Sequence, residues 1–310
     1  MKGIVVKSTG SWYKIRQSDL SVLDARIKGK IRLKEIDTTN PVAVGDWVEY
    51  DFEDSGDDTN GVITSVYPRD NYIIRKSNKL SKQGQIIAAN IDLALLVVTL
   101  SSPKTSLGFI DRFLVMAGAY HIPVSLVFNK FDLYTEEEHQ YFKYLKQLYE
   151  SLGYPCILSS LIDDAFSPNK QLSEHISGKK VLISGHSGVG KSSILNAMLP
   201  TALQRVNTIS DSHQRGKHTT TFAEMFFIDS ETAIIDTPGI RDFGIIDLEK
   251  TEIGHYFPEI REMMHACKFN NCIHLNEPEC AVIKAYEEER LPPTRYYNYL
   301  SILDNQNIFE

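Results

Sequence analysis

Long hydrophobic runs are missing from this chain: nothing in its 310 residues approaches the roughly 20 apolar positions that cross a bilayer. The opening stretch, MKGIVVKSTG, carries early charge without a sustained apolar segment of signal-peptide length. A cytoplasmic protein with no membrane segment is the expectation. Cysteine is scarce as well. Of the four, Cys156 stands alone and Cys267, Cys272 and Cys280 crowd together, a distribution that excludes an extracellular disulfide framework and points to a metal site. No internal repeat or low-complexity segment interrupts an ordinary globular composition of 42% hydrophobic and 24% charged residues.

What is present is unevenly spread. The net charge of -7 hides a basic front: residues 1–35 hold nine Lys or Arg against three acids, a net +6, which leaves -13 for the remainder. A second basic stretch, five bases against one acid, runs from Arg69 to Lys82. An acidic protein with such an end can still meet a polyanion.

Up to about Pro68 the text reads as six short strands with turn punctuation, KGIVVKS, SWYKIRQ, SVLDARI, KIRL, GDWVEYDF and GVITSVYP. That pattern predicts a small β-barrel of OB type, with the acid-rich DFEDSGDDTNG as a solvated hairpin loop. From Asn90 the rhythm changes to IDLALLVVTL, a strand buried on both faces, and strands then alternate with helices through TAIID, which predicts an α/β domain with a mostly parallel sheet. Beyond Asp247 the text turns helical and Cys/His-bearing. Three units are expected: residues 1–70 an OB-like barrel, 71–246 a nucleotide-binding domain and 247–310 a helical metal-binding unit.

GHSGVGKS, Gly185 to Ser192, fits the G-x-x-x-x-G-K-[ST] phosphate loop and lies between a buried strand and a helical pattern. Its backbone from Gly185 through Ser187, Gly188, Val189 and Gly190 to Ser193 can curl around phosphates, Lys191 reaches the β- and γ-phosphates, and the Ser192 hydroxyl suits Mg²⁺. DTPG, Asp236 to Gly239, closes the strand TAIID; Asp236 suits a direct or indirect Mg²⁺ partner and the Gly239 N–H the γ-phosphate. In NKFD, the Asp132 carboxylate accepts two hydrogen bonds from guanine that adenine has no donors to make, while Asn129 braces the site and the Lys130 stem covers the base. Ser159 and Ser160, ending the next strand, complete the base pocket.

The order of these segments is unusual. The base-reading tetrad lies upstream of the phosphate loop, whereas the ordinary domain has it downstream. Six strands between Ile91 and Asp236 suffice for one nucleotide-binding sheet and are too few for two, so a single circularly permuted domain is the reading. Past it, Cys267, Cys272, Cys280 and one imidazole, His274 or His265, make a closed tetrahedral zinc set with a structural role.

Taken together, the tetrad, phosphate loop, GKHTTT and DTPG, with a barrel before them and a Cys/His cluster after, resemble the RsgA (YjeQ) family of circularly permuted GTPases across essentially the whole chain. The resemblance implies a GTPase, converting GTP to GDP and phosphate, that is switched on by the small ribosomal subunit and assists its late maturation. It implies an OB-fold, a permuted GTPase domain and a zinc-binding C-terminal domain, and it favours His274 as the fourth zinc ligand. Within GKHTTT, Thr219 or Thr220 would sense the γ-phosphate and Mg²⁺; the sequence leaves the two open, and Thr220 joins Ser192 and Asp236 as the magnesium set.

Ile240 occupies the place of the glutamine that orients water in Ras-like enzymes, so intrinsic hydrolysis should be slow. His218 is the nearest group by sequence to take that part, which makes His218, Thr219, Thr220 and Lys191 the catalytic candidates. His186, at a variable position of the loop, is expected to lie outside the constellation. The basic barrel face, with Trp12 and Tyr13 beside Lys14 and Arg16, suits ribosomal RNA. Expected partners are the small subunit and its rRNA, with the protein itself a monomer. The alternative is a guanine-nucleotide-gated RNA-binding module that hardly hydrolyses, and Ile240 keeps it open.

Overall fold

The computed structural model describes residues 1–27, 40–55, 58–76, 84–199, 223–237 and 248–304. At the front, β1 (Lys2–Ser8), β2 (Tyr13–Arg16), β3 (Val22–Ile27), β4 (Trp47–Ser55) and β5 (Asp58–Val66) pair in the order β1-β2-β3-β5-β4, and β4 returns to β1. This closes a five-stranded barrel with the connectivity of an OB-fold. Alternation along the strands turns Val5, Tyr13, Ile15, Val48, Tyr50 and Ile63 inward, where they form the barrel core.

The sixth expected strand, KIRL, lies outside the described residues. The acidic stretch differs from expectation: rather than a loop, it continues the ladder, which pairs as far as Ser55 opposite Asp58. The ladder satisfies backbone groups whatever the side chains are, so an acid-rich pair of strands needs no apolar face to extend.

A two-stranded hairpin, β6 (Tyr72–Lys76) with β7 (Gly84–Ala89), follows the barrel and has no counterpart in the sequence reading. Next comes the α/β unit. β8 (Leu93–Val98), β9 (Val124–Phe128), β10 (Cys156–Leu158), β11 (Lys180–Ser184) and β13 (Ala233–Asp236) run parallel, and β12 (Glu224–Phe227) is antiparallel to β13, in the order β10-β9-β8-β11-β13-β12. All six residues of β8 are buried, as a central strand covered on both faces requires.

On one face lie α1 (Leu107–Ala119) and α2 (Glu136–Ser151); on the other, α3 (Pro168–Gln171), α4 (Ser173–Ile176) and α5 (Lys191–Met198). Local chemistry starts these helices. The Ser106 hydroxyl accepts from the Phe109 N–H at α1, and Thr135 with Glu138 forms a reciprocal cap at α2, which opens on three glutamates.

The C-terminal unit consists of α6 (Lys250–Ile253), α7 (Pro258–Met264), α8 (Ala281–Glu287) and α9 (Pro293–Leu303) around Phe257, Ile260, Val282, Tyr299 and Ile302. Helix α1 also belongs to this core through Val115, so it is buried on nearly every side. No described helix is long and apolar enough to cross a membrane.

Candidate functional site

The parallel strands end along one edge, and β8, β9, β10, β11 and β13 deliver their next residues there, where open α/β sheets bind ligands. After β11 the chain turns through Gly185, whose φ of 142° and a would-be Cβ only 2.3 Å from the Val97 carbonyl leave room for glycine alone. Gly190, at φ 98°, opens α5, and a Cβ there would lie 2.3 Å from the Asn129 amide nitrogen. Between them Val189 is buried, while Ser187, Gly188, Ser192 and Ser193 face solvent. Lys191 Nζ sits inside the loop, donating to the carbonyls of Gly185 at 2.8 Å and His186 at 2.6 Å.

The tetrad meets the loop directly. Asn129, 1% exposed, donates from Nδ2 to the Val189 carbonyl at 2.8 Å and so fastens the end of β9 to the phosphate loop. Lys130, in the left-handed conformation, donates from Nζ to the Ser102 carbonyl. Asp132 Oδ1 accepts from Ser160 Oγ at 2.5 Å, and Ser160 Oγ in turn accepts from the N–H groups of Ile162 and Asp163, which orients the carboxylate. Ser159 and Ser160 are fully buried beside it.

Asp236 ends β13 with its carboxyl pushed up by burial; Lys191 opposes the shift and Glu224, opposite it in the register, adds to it. Four buried side-chain oxygens along this edge, those of Asn129, Ser159, Ser184 and Thr237, make no hydrogen bond among the described residues. Orphaned buried oxygens cost stability unless something else meets them, and here they cluster where a nucleotide would. His186 stands apart from this group and stacks on Phe109 with ring centroids 3.7 Å apart. His218, Thr219, Thr220, Gly239 and Ile240 lie outside the described residues.

The second cluster is local. The Sγ atoms of Cys267, Cys272 and Cys280 and a ring nitrogen of His274 all lie within 4.8 Å of one another. His274 Nδ1 is 3.3 Å from Cys280 Sγ and 3.6 Å from Cys267 Sγ, so this nitrogen faces the thiols. Glu277 accepts the N–H groups of Ile273, Leu275 and Asn276 and folds the knuckle, while Tyr296 and Tyr299 donate to the carbonyls of His274 and Ile273. Burial pushes the Cys272 thiol up to about 12, a state that a divalent cation binding the thiolates would reverse. Three sulfurs and one imidazole match the donor set of structural zinc. His265 is exposed and outside the cluster, and Cys156 is buried elsewhere with its thiol also raised to about 12.

Residues 66–246 match the family described as RsgA GTPase and residues 2–63 the RsgA N-terminal domain. The chain belongs to the RsgA family. It is 48% identical to "Small ribosomal subunit biogenesis GTPase RsgA 2" of Bacteroides thetaiotaomicron over 99% of this chain and 97% of that one. It is 47% identical to "Small ribosomal subunit biogenesis GTPase RsgA" of Flavobacterium psychrophilum, over 99% of this chain and 94% of that one. The structure superposes on YjeQ from Thermotoga maritima with a TM-score of 0.77 at 32% identity, covering 98% of this chain and 97% of that one. YloQ, described as a circularly permuted GTPase, gives 0.71 at 28% identity, over 98% and 94%. This RsgA family member is therefore a circularly permuted GTPase with an OB-like barrel in front.

A polar cluster with little signal in the sequence lies in the core, and part of the basic barrel face expected to suit RNA is turned inward. Arg295 of α9, 2% exposed, donates to Asp111 of α1 and bidentately to Glu259 of α7, while Asn298 and Tyr149 also donate to Asp111. The sole hint was an acid inside the apolar run FIDRFLVMAGAY. On the barrel, Tyr13 is 2% exposed and belongs to the core, because the alternation of β2 turns it inward. Arg16, half-buried, lies over the Phe227 ring of the GTPase domain, and Lys14 pairs with Asp24. Trp12 remains on the surface, as do Trp47 and Tyr67, with Lys2 Nζ lying 4.6 and 5.0 Å from the latter two ring centroids.

Proposed function

We propose that this GTPase acts on the small ribosomal subunit during the subunit's biogenesis and hydrolyses GTP when docked there. The observation that carries the proposal is the permuted nucleotide site flanked by a barrel and a Cys/His unit, shared along nearly the full length with relatives named small ribosomal subunit biogenesis GTPase. Three units serve it: residues 1–70 for RNA, 71–246 for the nucleotide and 247–310 for the zinc-held contact.

In this reading Asp132 accepts from guanine, with Asn129, Lys130, Ser159 and Ser160 shaping the base pocket. Lys191 leaves the carbonyls of Gly185 and His186 for the phosphates, which the N–H groups of the loop and of Gly239 receive. Ser192, Asp236 and Thr220 would hold Mg²⁺, which would neutralise charge on the transferring phosphoryl group. The Ile240 side chain has no polar atom to orient water, so His218, in the same stretch as the switch threonines Thr219 and Thr220, takes that part in the docked state. Cys267, Cys272, His274 and Cys280 hold one structural zinc. The protein works as a cytoplasmic monomer and does not engage membranes.

Co-sedimentation with purified small subunits tests the partner. Binding with a non-hydrolysable GTP analogue and release with GDP is the expected result. Equal retention in both nucleotide states, or retention on large subunits instead, would overturn it.

A further inference from the structure

The barrel and the GTPase domain form one continuous sheet, yet between β1 and β12 a single residue pair, Lys7 opposite Glu224, is in register. Among the described residues, so narrow a backbone joint leaves the setting of the β12–β13 hairpin against the barrel to side chains, and barrel cations meet both ends of β12. Lys7 Nζ lies 2.8 Å from Glu224 Oε2 at the start of β12. At the far end, the Arg16 guanidinium carbon lies 3.6 Å from the centroid of the Phe227 ring, and Nη1 donates to the Ser230 carbonyl at 3.0 Å. The turn that presents Ser230 is itself fixed, because Asp229 Oδ1 accepts from the N–H groups of Glu231 and Thr232.

The clamped hairpin bears directly on the reaction. Glu224 begins β12 three residues after Thr221, the end of the Thr219–Thr221 run, and stands opposite Asp236, the last residue of β13. We propose that Arg16 and Lys7 are positioning residues through which the barrel sets the β12–β13 hairpin, and with it Asp236, so that docking of the barrel on the small subunit is felt at the phosphate end of the nucleotide site. A guanidinium stacked on a ring and bonded to a carbonyl is committed to its own protein, so Arg16 does not serve as a phosphate contact. Both pairs are partly exposed, and removing them leaves the barrel core of Val5, Tyr13, Ile15 and Ile63 untouched.

This inference rests on activation by the subunit, and its test separates the two. GTP turnover by the full-length protein is measured against small-subunit concentration for wild type, Arg16→Met, Phe227→Leu and the double variant. Thermal midpoints verify folding. Each single variant should lose about tenfold in the subunit-stimulated kcat, while the half-saturating subunit concentration, basal turnover and GDP affinity stay within about twofold. The double variant should be no worse than Arg16→Met alone, because that substitution already removes the ring contact that Phe227→Leu takes away. A raised half-saturating concentration with kcat retained in Arg16→Met would make Arg16 an RNA contact and overturn the inference. Full stimulation in both singles, or losses that multiply in the double, would also overturn it. Absence of stimulation in wild type would remove the functional reading and this inference with it.

Discussion

The nucleotide site and the Cys/His cluster are opposite solutions to holding polar groups together. The first gathers Asn129, Ser159, Gly185 and Asp236 from the ends of four separate strands, and its geometry depends on how those strands are held. The second draws all four donors from Cys267 to Cys280 and folds them with hydrogen bonds from its own backbone. A site spread over independent elements changes shape when one of them moves, which suits a switch. A closed local knuckle changes only by breaking, which suits a staple for a unit with a small core.

Substitutions that break one centre should therefore spare the other. The largest effect is expected for Lys191→Ala, which removes the cation proposed to meet the β- and γ-phosphates: subunit-stimulated hydrolysis should fall by about 10³-fold, with zinc content by elemental analysis unchanged. Asp132→Asn exchanges an acceptor for a group that can also donate. GTP affinity should drop by about 10²-fold, and xanthosine triphosphate, which carries a carbonyl where guanine has its amine, should bind better than GTP in a fluorescence competition assay. Unchanged preference for GTP would take Asp132 out of the base pocket.

Cys272→Ser cuts the staple instead. It should abolish zinc retention and cost on the order of 4 kcal/mol in the stability of the C-terminal unit, while GDP affinity changes by less than about tenfold. Loss of GDP binding in step with zinc would show that the two centres are not independent. The smallest effect is a count of reactive thiols. With zinc bound, the native protein should show none, and a chelator should release three; Cys156, buried and with its thiol raised to about 12, should react only after denaturation.

The parts of this design that are legible in the sequence are those whose chemistry is local. The phosphate loop declares itself because Gly185 and Gly190 are forced by close approach within a few residues of Lys191. The tetrad shows by its place at a strand end and the cysteines by their crowding, and the tetrad's position upstream of the phosphate loop reveals the permutation. What the sequence hides depends on distant partners. Arg295 meets Asp111 across 184 positions, so neither residue alone signals a fastening between the GTPase domain and the C-terminal unit. Arg16 looks like part of an RNA face until Phe227 is seen beneath it. Tyr13 sits in a basic stretch, and the alternation that buries it is hard to read in a strand of only four residues.

The central claim is that hydrolysis belongs to the docked state. Phosphate release at saturating GTP, measured for the protein alone, with small subunits and with large subunits, tests it most directly. The account predicts slow release alone and with large subunits, and stimulation by at least 10²-fold, about the worth of one well-placed stabilising group, with small subunits. One slow rate in all three conditions would contradict it and leave a nucleotide-gated binding protein in its place.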